Sequence, residues 1–322
     1  MALTPTKRAR GSNAKVIGAF ETTPGTVPAT NGGWFGLPIV SHSLGEERPL
    51  IASDLLGQGR EMQDPTPDVA TNDGDVVVPV DARNFGRWLK LFFGDAAVTG
   101  NATDGYTHTF TSGAQVLPSI SLEVGSPEVP AYTVNRGARG NQLRIAMSRS
   151  GLLNATCSLI CIGETDPAST TAGPASPTTL DTVRFPQATG YVNKGGQALG
   201  SVVSADFTFS NNLEKVETIQ SDGRIEDSDA GMAQATGSIT VRFADLTLLA
   251  AATGSTPVDL AFGWSFGTGF SLVFLVPRVF LPKPKRPITG PNGIQAQFNW
   301  QASRGTGGFS TRAVLKTDVA AY

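Results

Sequence analysis

A strand that leads directly into a short helix occurs twice in this chain of 322 residues. In the first occurrence an alternating segment, 74–80, precedes a helical segment, 81–93. In the second, the alternating segment 237–243 precedes 244–253, and a glycine follows the helix in both cases. Internal repeats limit the possible architectures before any local motif is considered, because each copy must form the same fold. The chain is therefore predicted to contain two copies of one fold.

The segments that flank the two units keep the same order. An acidic turn and then a Gly-Arg pair precede each strand, at 44–47 and 59–61 in the first copy and at 212–214 and 223–226 in the second. Three more strands are predicted after each helix. They lie at 117–124, 141–147 and 154–161 in the first copy, and at 270–276, 292–301 and 309–316 in the second.

The region between the copies differs from both of them in composition. Residues 164–187 are dense in Pro, Thr, Ser and Ala and show no hydrophobic period, which is typical of a linker. The predicted organisation is a first domain at 1–163 with an N-terminal arm, a linker at 164–187 and a second domain at 188–322.

The composition favours strands and turns over long helices. Only 16% of the residues are charged, and the chain contains 37 Gly and 21 Pro. The helix of the first copy is nonetheless clear, since Phe85, Trp88, Leu89 and Phe92 recur at helical spacing and Asp81 can cap its start. The predicted fold class is all-β with short flanking helices.

The charge balance excludes one broad class of function. The formal net charge is −2 and the sequence pI is about 5.8. Tight binding to nucleic acid needs clustered Lys and Arg that neutralise phosphates. A neutral or acidic surface is expected instead.

The two cysteines, Cys157 and Cys161, lie on the same face of one predicted strand. Four residues along a strand separate their Cα atoms by roughly 13 Å, which is too far for a disulfide. They are interpreted as small buried apolar residues. The sequence shows neither a secretion signal nor an apolar run of about 20 residues, so synthesis and folding in a cytoplasm are expected, with no membrane partner.

Several strands alternate between apolar and uncharged polar residues, as antiparallel sheets with one dry face do. In the segment 294–301 the polar positions are Gln295, Gln297, Asn299 and Gln301. In contrast, 270–277 is apolar at both parities. That strand is expected to be buried on both sides or covered by a neighbouring subunit.

One motif resembles a catalytic signature. Gly263-Trp-Ser265-Phe-Gly267 matches the G-x-S-x-G expression, in which the serine is a nucleophile between a strand and a helix. Here strand-like segments stand on both sides, and both histidines precede Ser265. A hairpin without catalytic function is predicted, and the protein is expected not to be an enzyme.

The remaining titratable residues do not form a cofactor site. His42 and His108 lie in separate segments, and no nucleotide-binding loop is present. The acidic cluster 226–229 lacks the spacing of a calcium loop and is interpreted as a solvated loop. No metal and no cofactor are predicted.

Two short basic groups are candidate contacts with a neighbouring subunit. In an assembling protein such extensions bind a neighbour more often than nucleic acid. The candidates are Lys7, Arg8 and Arg10 near the N-terminus, and Lys283, Lys285 and Arg286 between strands.

Taken together, the strand order and the turn phrases resemble the major tail tube proteins of long-tailed phages. In the first copy the resemblance is carried by 76–80, by the helix 84–93, and by 105–111. In the second copy it is carried by Phe207-Thr-Phe-Ser-Asn-Asn-Leu213 and by 292–300.

The resemblance implies a tandem duplication of a β-sandwich tail-tube domain. It further implies stacked rings of six domains in the virion tail, around a channel that delivers DNA to the host cell. In such a ring the edge strand of each domain pairs with the next domain. The implied partners are the chain itself, the tape measure protein, the tail terminator and distal tail proteins, and genomic DNA that passes without sequence-specific binding. Two domains in one chain imply a trimeric ring with pseudo-sixfold symmetry. Gln295, Gln297, Asn299 and Gln301 are the lumen candidates.

Two other functions remain open. A virion decoration or receptor-binding protein also uses tandem β-sandwiches and would expose aromatic patches on loops. Most aromatic residues follow a strand or helix period, and Trp34-Phe35 is the exception. A hydrolase that uses Ser265 is the second alternative.

Overall fold

Antiparallel strands form most of the protein in the computed structural model, which describes residues 8–57, 59–242, 246–285 and 293–322. The strands are β1 (Lys15–Phe20), β2 (Phe35–Gly36), β3 (Ser41–His42), β4 (Gly45–Glu47), β5 (Leu50–Ile51), β6 (Thr66–Pro67), β7 (Thr71–Pro79), β8 (Ala97–Asn101), β9 (Gly105–Thr111), β10 (Ile120–Ser126), β11 (Ala131–Met147), β12 (Asn154–Cys161), β13 (Gly163–Glu164), β14 (Tyr191–Lys194), β15 (Gln197–Ala198), β16 (Val202–Ser210), β17 (Glu214–Val216), β18 (Asp227–Asp229), β19 (Gln234–Arg242), β20 (Val258–Phe266), β21 (Phe270–Phe280), β22 (Gln295–Ala302) and β23 (Arg312–Thr317). The prediction of an all-β chain is confirmed.

Two short helices flank the sheets, α1 (Phe85–Phe93) and α2 (Thr247–Thr253). The apolar stripe predicted for α1 is almost completely buried, from Phe85 to Phe92. The Asp81 carboxylate accepts the N–H groups of Arg83 and Asn84 and so stabilises the turn before the helix. Gly94 ends the helix at a φ of 86°, and its N–H donates to the carbonyl of Lys90. Both predicted helices are present.

The longest strand, β11, belongs to two sheets. Its first half pairs with β10 and β13, and its second half pairs with β12 and β16. The change of direction falls at Gly137, which has a φ of 65° and lies against Ile162. A side chain at this position would be strained and would also clash, so glycine is required here. β11 thus connects the two layers of the first copy.

The pairing pattern of the first copy is repeated in the second. β12 pairs with β7 as β22 pairs with β19, and β4 pairs with β7 as β16 pairs with β19. A constant shift of 163 residues takes Glu47 and its partner Thr71 to Ser210 and its partner Gln234. The same shift takes the hairpin β5–β6 to the hairpin β17–β18. The strand pairing therefore shows the tandem duplication.

The two copies share sheets and a core. β11 of the first copy pairs with β16 of the second, and β9 pairs with β23. One hydrophobic cluster includes buried residues from both copies. For example, the ring of Phe93 in α1 stacks on that of Phe209 in β16, with centroids 4.3 Å apart. Because aromatic burial dominates core energetics, this packing holds the copies together.

Residues 164–187, predicted as a linker, lie against the first copy. Thr165 donates its N–H to the carbonyl of Val134, and Thr178 bridges Phe35. The side chain of Phe185 is 1% exposed. The limits of the two domains around this segment stay a prediction.

Three sequence predictions are wrong in detail. The acidic cluster 226–229 is not a solvated loop, because Asp227–Asp229 form β18 and Asp227 binds Arg139. Trp34 and Phe35 are buried at 2% and 8% exposure, so they are not exceptions to core packing. The strands predicted to begin at 117 and 309 begin at Ile120 and Arg312. Sequence alternation extended into turns that the backbone does not pair.

Candidate functional site: a polar sheet face and its open edges

One face of the joined sheet is polar across both copies. The strands follow each other in the order β3 and β4, β7, β12, the second half of β11, β16, β19 and β22. Apolar residues alternate with polar ones along each strand and point to the core on the other face. The polar positions include Thr71, Asp73, Asp75, Asn154, Thr156, Ser158, Gln142, Arg144, Thr208, Ser210, Thr236, Ser238 and Thr240.

Most carboxylates of this face are engaged by neighbours. Asp73 forms an ion pair with Lys215 at 2.8 Å. The hydroxyl of Ser158 donates to Asp75, and that of Ser238 donates to Asp206. These contacts leave a surface that presents mainly hydroxyl and amide groups to solvent.

The four lumen candidates lie together on this face. Gln295, Gln297, Asn299 and Gln301 are all exposed on β22, and the residues between them are buried. The amide of Gln297 donates to the side-chain oxygen of Asn299 at 3.4 Å. Uncharged hydrogen-bonding groups therefore line the end of the joined sheet. Their position toward a lumen stays a prediction.

The basic candidates lie in two separate segments. Arg8 and Arg10 are exposed before the 3₁₀ turn Gly11–Asn13, and Lys283 and Lys285 are exposed after β21. Lys7 and Arg286 lie outside the described residues. Their predicted role in contacts between subunits is not tested by the isolated chain.

The joined sheet ends in open strand edges, which sequence reasoning did not identify. At one end, β4 pairs with β7 on one side only. At the other end, β22 pairs with β19 along its length and with β21 only at Gln301 and Ala302. Within the described part of the chain, no other strand pairs with these edges, although the carboxylate of Glu164 in β13 already accepts the N–H of Glu46 in β4. Unpaired strand edges attract further strands, so these edges are candidate assembly sites.

An acidic pocket lies beside the β4 edge. The guanidinium of Arg224, from the second copy, donates two hydrogen bonds to the carboxylate of Glu46 at 2.6 and 2.9 Å. The carboxylates of Glu46 and Glu164 each accept the N–H of the other residue. Asp222 and Asp166 complete the acidic lining. This network fixes the loop between β17 and β18 onto the first copy.

The network also sets the protonation of Glu46. Burial favours its neutral form, but the hydrogen bonds from Arg224 and Glu164 and the charges of Arg224 and Arg48 outweigh burial. The pKa of Glu46 is therefore below its usual value in the folded protein. A lowered folded pKa contributes stability above the unfolded pKa, and that contribution is lost as the pH falls through the folded value.

We expect Arg224→Ala to lower the free energy of unfolding by about 2 kcal/mol at pH 7, because it leaves a largely buried carboxylate unpaired. The difference from the wild type should shrink as the pH falls through the lowered folded pKa of Glu46, because Glu46 is then protonated in both proteins. Urea denaturation at several pH values measures it. Arg144→Ala is the control, since Arg144 is exposed and should change stability by less than about 0.5 kcal/mol. A difference that does not depend on pH would contradict this explanation.

The remaining residues with reactive side chains, a serine, two cysteines and a histidine, lie in a hairpin or in the protein interior. Ser265 lies near the end of β20, in a hairpin whose turn leads into β21, as the sequence predicted. Cys157 and Cys161 are buried and unpaired, and burial raises the pKa of both thiols. His108 is buried and contacts the carbonyl of Val319 at 2.8 Å. In the described ranges, no group of three potential ligands could hold a metal ion, and no helix is long and apolar enough to cross a membrane.

Comparison with known proteins supplies the remaining observation. A family model described as phage tail tube protein matches residues 11–302. No curated protein matches the chain. The family match includes the first copy from residue 11, the segment between the copies, and the second copy to the end of β22, and so covers the joined polar sheet. The chain therefore belongs to the phage tail tube protein family.

Proposed function

We propose that this protein forms stacked rings that build the phage tail tube, through whose channel DNA is delivered to the host cell. The observation that carries the proposal is the junction of β11 with β16, which joins two copies of one fold into a single polar sheet with open edges at both ends. A sheet of this kind removes its edges by closing into a barrel. The protein acts by assembling, and not by catalysis.

The proposed stoichiometry follows from the duplication. The first copy supplies four strand positions to the polar sheet, and the second supplies β16, β19 and β22. If the segment after β21 becomes the fourth position on assembly, six copies from three chains supply about 24 strands. At about 4.8 Å between strands, such a barrel is about 37 Å across before strand tilt widens it. Barrels with fewer strands than this already enclose an aqueous channel. The ring is therefore proposed to be a trimer with pseudo-sixfold symmetry.

The chemistry of the polar face suits the wall of a DNA channel. Lys and Arg contacts with phosphates would hold the DNA and slow its passage. Uncharged side chains such as Gln295 and Asn299, and carboxylates already bound by Ser158 or Lys215, make up most of the face and limit such contacts to the exposed Arg144 and Arg242. We assign this face, including Gln297 and Gln301, to the lumen.

The proposal includes the setting of the protein. The tape measure protein, the tail terminator and the distal tail proteins are its proposed neighbours, and assembly is proposed to occur in the host cytoplasm. A decoration or receptor-binding function has lost its one supporting feature, because Trp34 and Phe35 are buried. The hairpin geometry of Ser265 gives no support to a hydrolase.

Negative-stain microscopy of the purified protein tests the proposal. Tubes or stacked rings with a central hole are expected at high protein concentration. Folded monomers that never assemble, at any concentration or salt, would contradict the proposed function.

A further inference from the structure

We propose that the junction between two chains repeats the junction that joins the two copies within one chain. The partner is a second copy of this chain, whose β4 edge and β5–β6 hairpin are placed against the second copy of the fold. This inference rests on the proposed function and specifies its lateral contact.

The junction within the chain has two parts. In the first, residues 142–147 of β11 pair with 205–210 of β16. In the second, the hairpin β17–β18 and its loop lie on the first copy. In the described residues, four ion pairs hold the hairpin there: Lys215 with Asp73, Asp227 with Arg139, Asp222 with Arg136, and Arg224 with Glu46.

The first copy carries counterparts of both parts. The shift of 163 residues relates β4 to β16 and the hairpin β5–β6 to β17–β18. The loop between β5 and β6 therefore corresponds, residue by residue, to the loop between β17 and β18. Within the described residues, no strand of the other copy pairs with β4 or with this hairpin, although the loop between β17 and β18 reaches Glu46 through Arg224 and Ala70 through Gly223. The strand pairing that β16 makes in the second copy thus has no equivalent at β4 in the first.

The second copy carries the matching surface. A shift of 141 residues takes the pair Arg139 and Ile160 to the pair Phe280 and Gln301. By the same shift, the part of the acidic pocket formed by Arg136, Glu164 and Thr165 corresponds to Pro277, Gly305 and Thr306. Those three residues line a groove on the second copy, with further walls that include Ala250, Val258 and Arg278. The groove is the counterpart of the pocket that receives Arg224.

The correspondence distinguishes which side chains of the hairpin become buried. Met62 is 77% exposed, and its counterpart, Ile225, is half-buried where the second hairpin is docked. Leu56 is 92% exposed, and its counterpart, Ile219, remains fully exposed in the docked hairpin. The junction between chains should therefore bury Met62 and leave Leu56 in solvent.

The charges of the two surfaces favour the same arrangement. Asp64 corresponds to Asp227, which binds Arg139. The shift of 141 residues places Phe280 at the position of Arg139, and the arginine that the groove offers is Arg278, two residues earlier. On the strand edge, the exposed Glu47 would face the segment that follows β21, which contains Lys283 and Lys285. Opposite charges favour a contact between β4 of one chain and the segment after β21 of the next over a contact between two identical edges.

The strand register at the junction between chains follows from the register of β11 with β16 within one chain. Gln142 lies opposite Ser210, whose counterpart is Glu47. β11 contains one extra, unpaired residue between Gly140 and Gln142. If the segment after β21 has no such extra residue, the counterpart of Gln142 is Pro282; if it has one, the counterpart is Lys283. Glu47 of one chain should therefore lie opposite Pro282 or Lys283 of the next.

Disulfide trapping tests the placement. Glu47→Cys is combined with Pro282→Cys in one variant and with Lys283→Cys in another, and assembled protein is mildly oxidised. At least one variant should give covalent multimers in high yield, since opposed strand residues satisfy disulfide geometry. The native cysteines are buried and should not react. Glu47→Cys with Val116→Cys is the control, because Val116 is exposed at 81% and belongs to neither of the two segments that meet at the proposed junction.

A second measurement uses the hairpin. Met62→Asp should raise the protein concentration needed for ring formation at least tenfold, whereas Leu56→Asp should form rings at the same concentration as the wild type. Native mass spectrometry counts the rings, and thermal unfolding confirms that both variants fold. Two results would overturn this junction and leave the tube function standing, provided that the wild type forms tubes. One is the absence of cross-links in both cysteine variants, and the other is assembly of Met62→Asp at the same protein concentration as the wild type. Wild-type protein that does not assemble would overturn the function itself, and this junction with it.

Discussion

Lys283→Glu combined with Lys285→Glu is expected to abolish ring formation while the chain remains folded. Both lysines are exposed in the isolated chain, so their replacement removes no internal contact. At the proposed junction they face Glu47, and reversed charges would place three carboxylates together. Like charges brought together at an interface cost several kcal/mol. Sedimentation velocity should show monomers at concentrations where the wild type forms rings.

Two further variants make this result specific. Lys15→Glu with Arg149→Glu changes the net charge equally at exposed positions and should still assemble. Adding Glu47→Lys to the first variant should restore part of the assembly, because it restores an opposite pair. Wild-type assembly by the Lys283 and Lys285 variant would show that the basic segment does not contact a neighbour.

Phe207→Ala is expected to lower the free energy of unfolding by about 3–5 kcal/mol. Phe207 is fully buried on β16, the strand that joins the two copies. Its ring lies 4.6 Å from that of Phe274 and 6.1 Å from those of Phe262 and Trp300, measured between centroids. Alanine would leave a cavity in the middle of this aromatic cluster. Guanidinium denaturation followed by circular dichroism measures the loss.

Val203→Ala on the same strand is the matched control. Val203 is 40% exposed, so its truncation should change stability much less, by about 0.5 kcal/mol or less. A loss of less than about 1 kcal/mol for Phe207→Ala would mean that the cluster can collapse around the missing ring. The joint between the copies would then depend on other contacts.

The local elements were predictable from the sequence because their cause is local. The spacing of Phe85, Trp88, Leu89 and Phe92 specifies one buried helix face, and the structure has that helix. The alternation around Gln295 specifies a strand with one exposed face, and β22 has it. The duplication could also be inferred, since both copies keep the same order of strand, helix and turn.

The long-range pairing was not predictable from local patterns. β9 pairs with β23 across about two hundred residues, and β11 belongs to two sheets through the turn at Gly137. Neither feature changes the alternation of the strands involved. The cluster around Asp227 was predicted to be a solvated loop for the same reason, since its partner, Arg139, lies in the other copy.

The candidate site was predicted only in part. Its polar face could be identified because side-chain alternation follows from strand geometry. Its open edges at β4 and β22, and the acidic pocket around Glu46, result from how the two copies meet. Sequence patterns do not contain that information, whereas the constant shift between paired strands does.

The number of chains in one ring tests the central claim most directly. Symmetry analysis of electron microscopy images of the assembled tube, together with native mass spectrometry of a dissociated ring, determines it. Three chains per ring, with six similar lobes around the channel, are predicted. Six chains per ring would contradict the claim that both copies of the fold supply the channel wall.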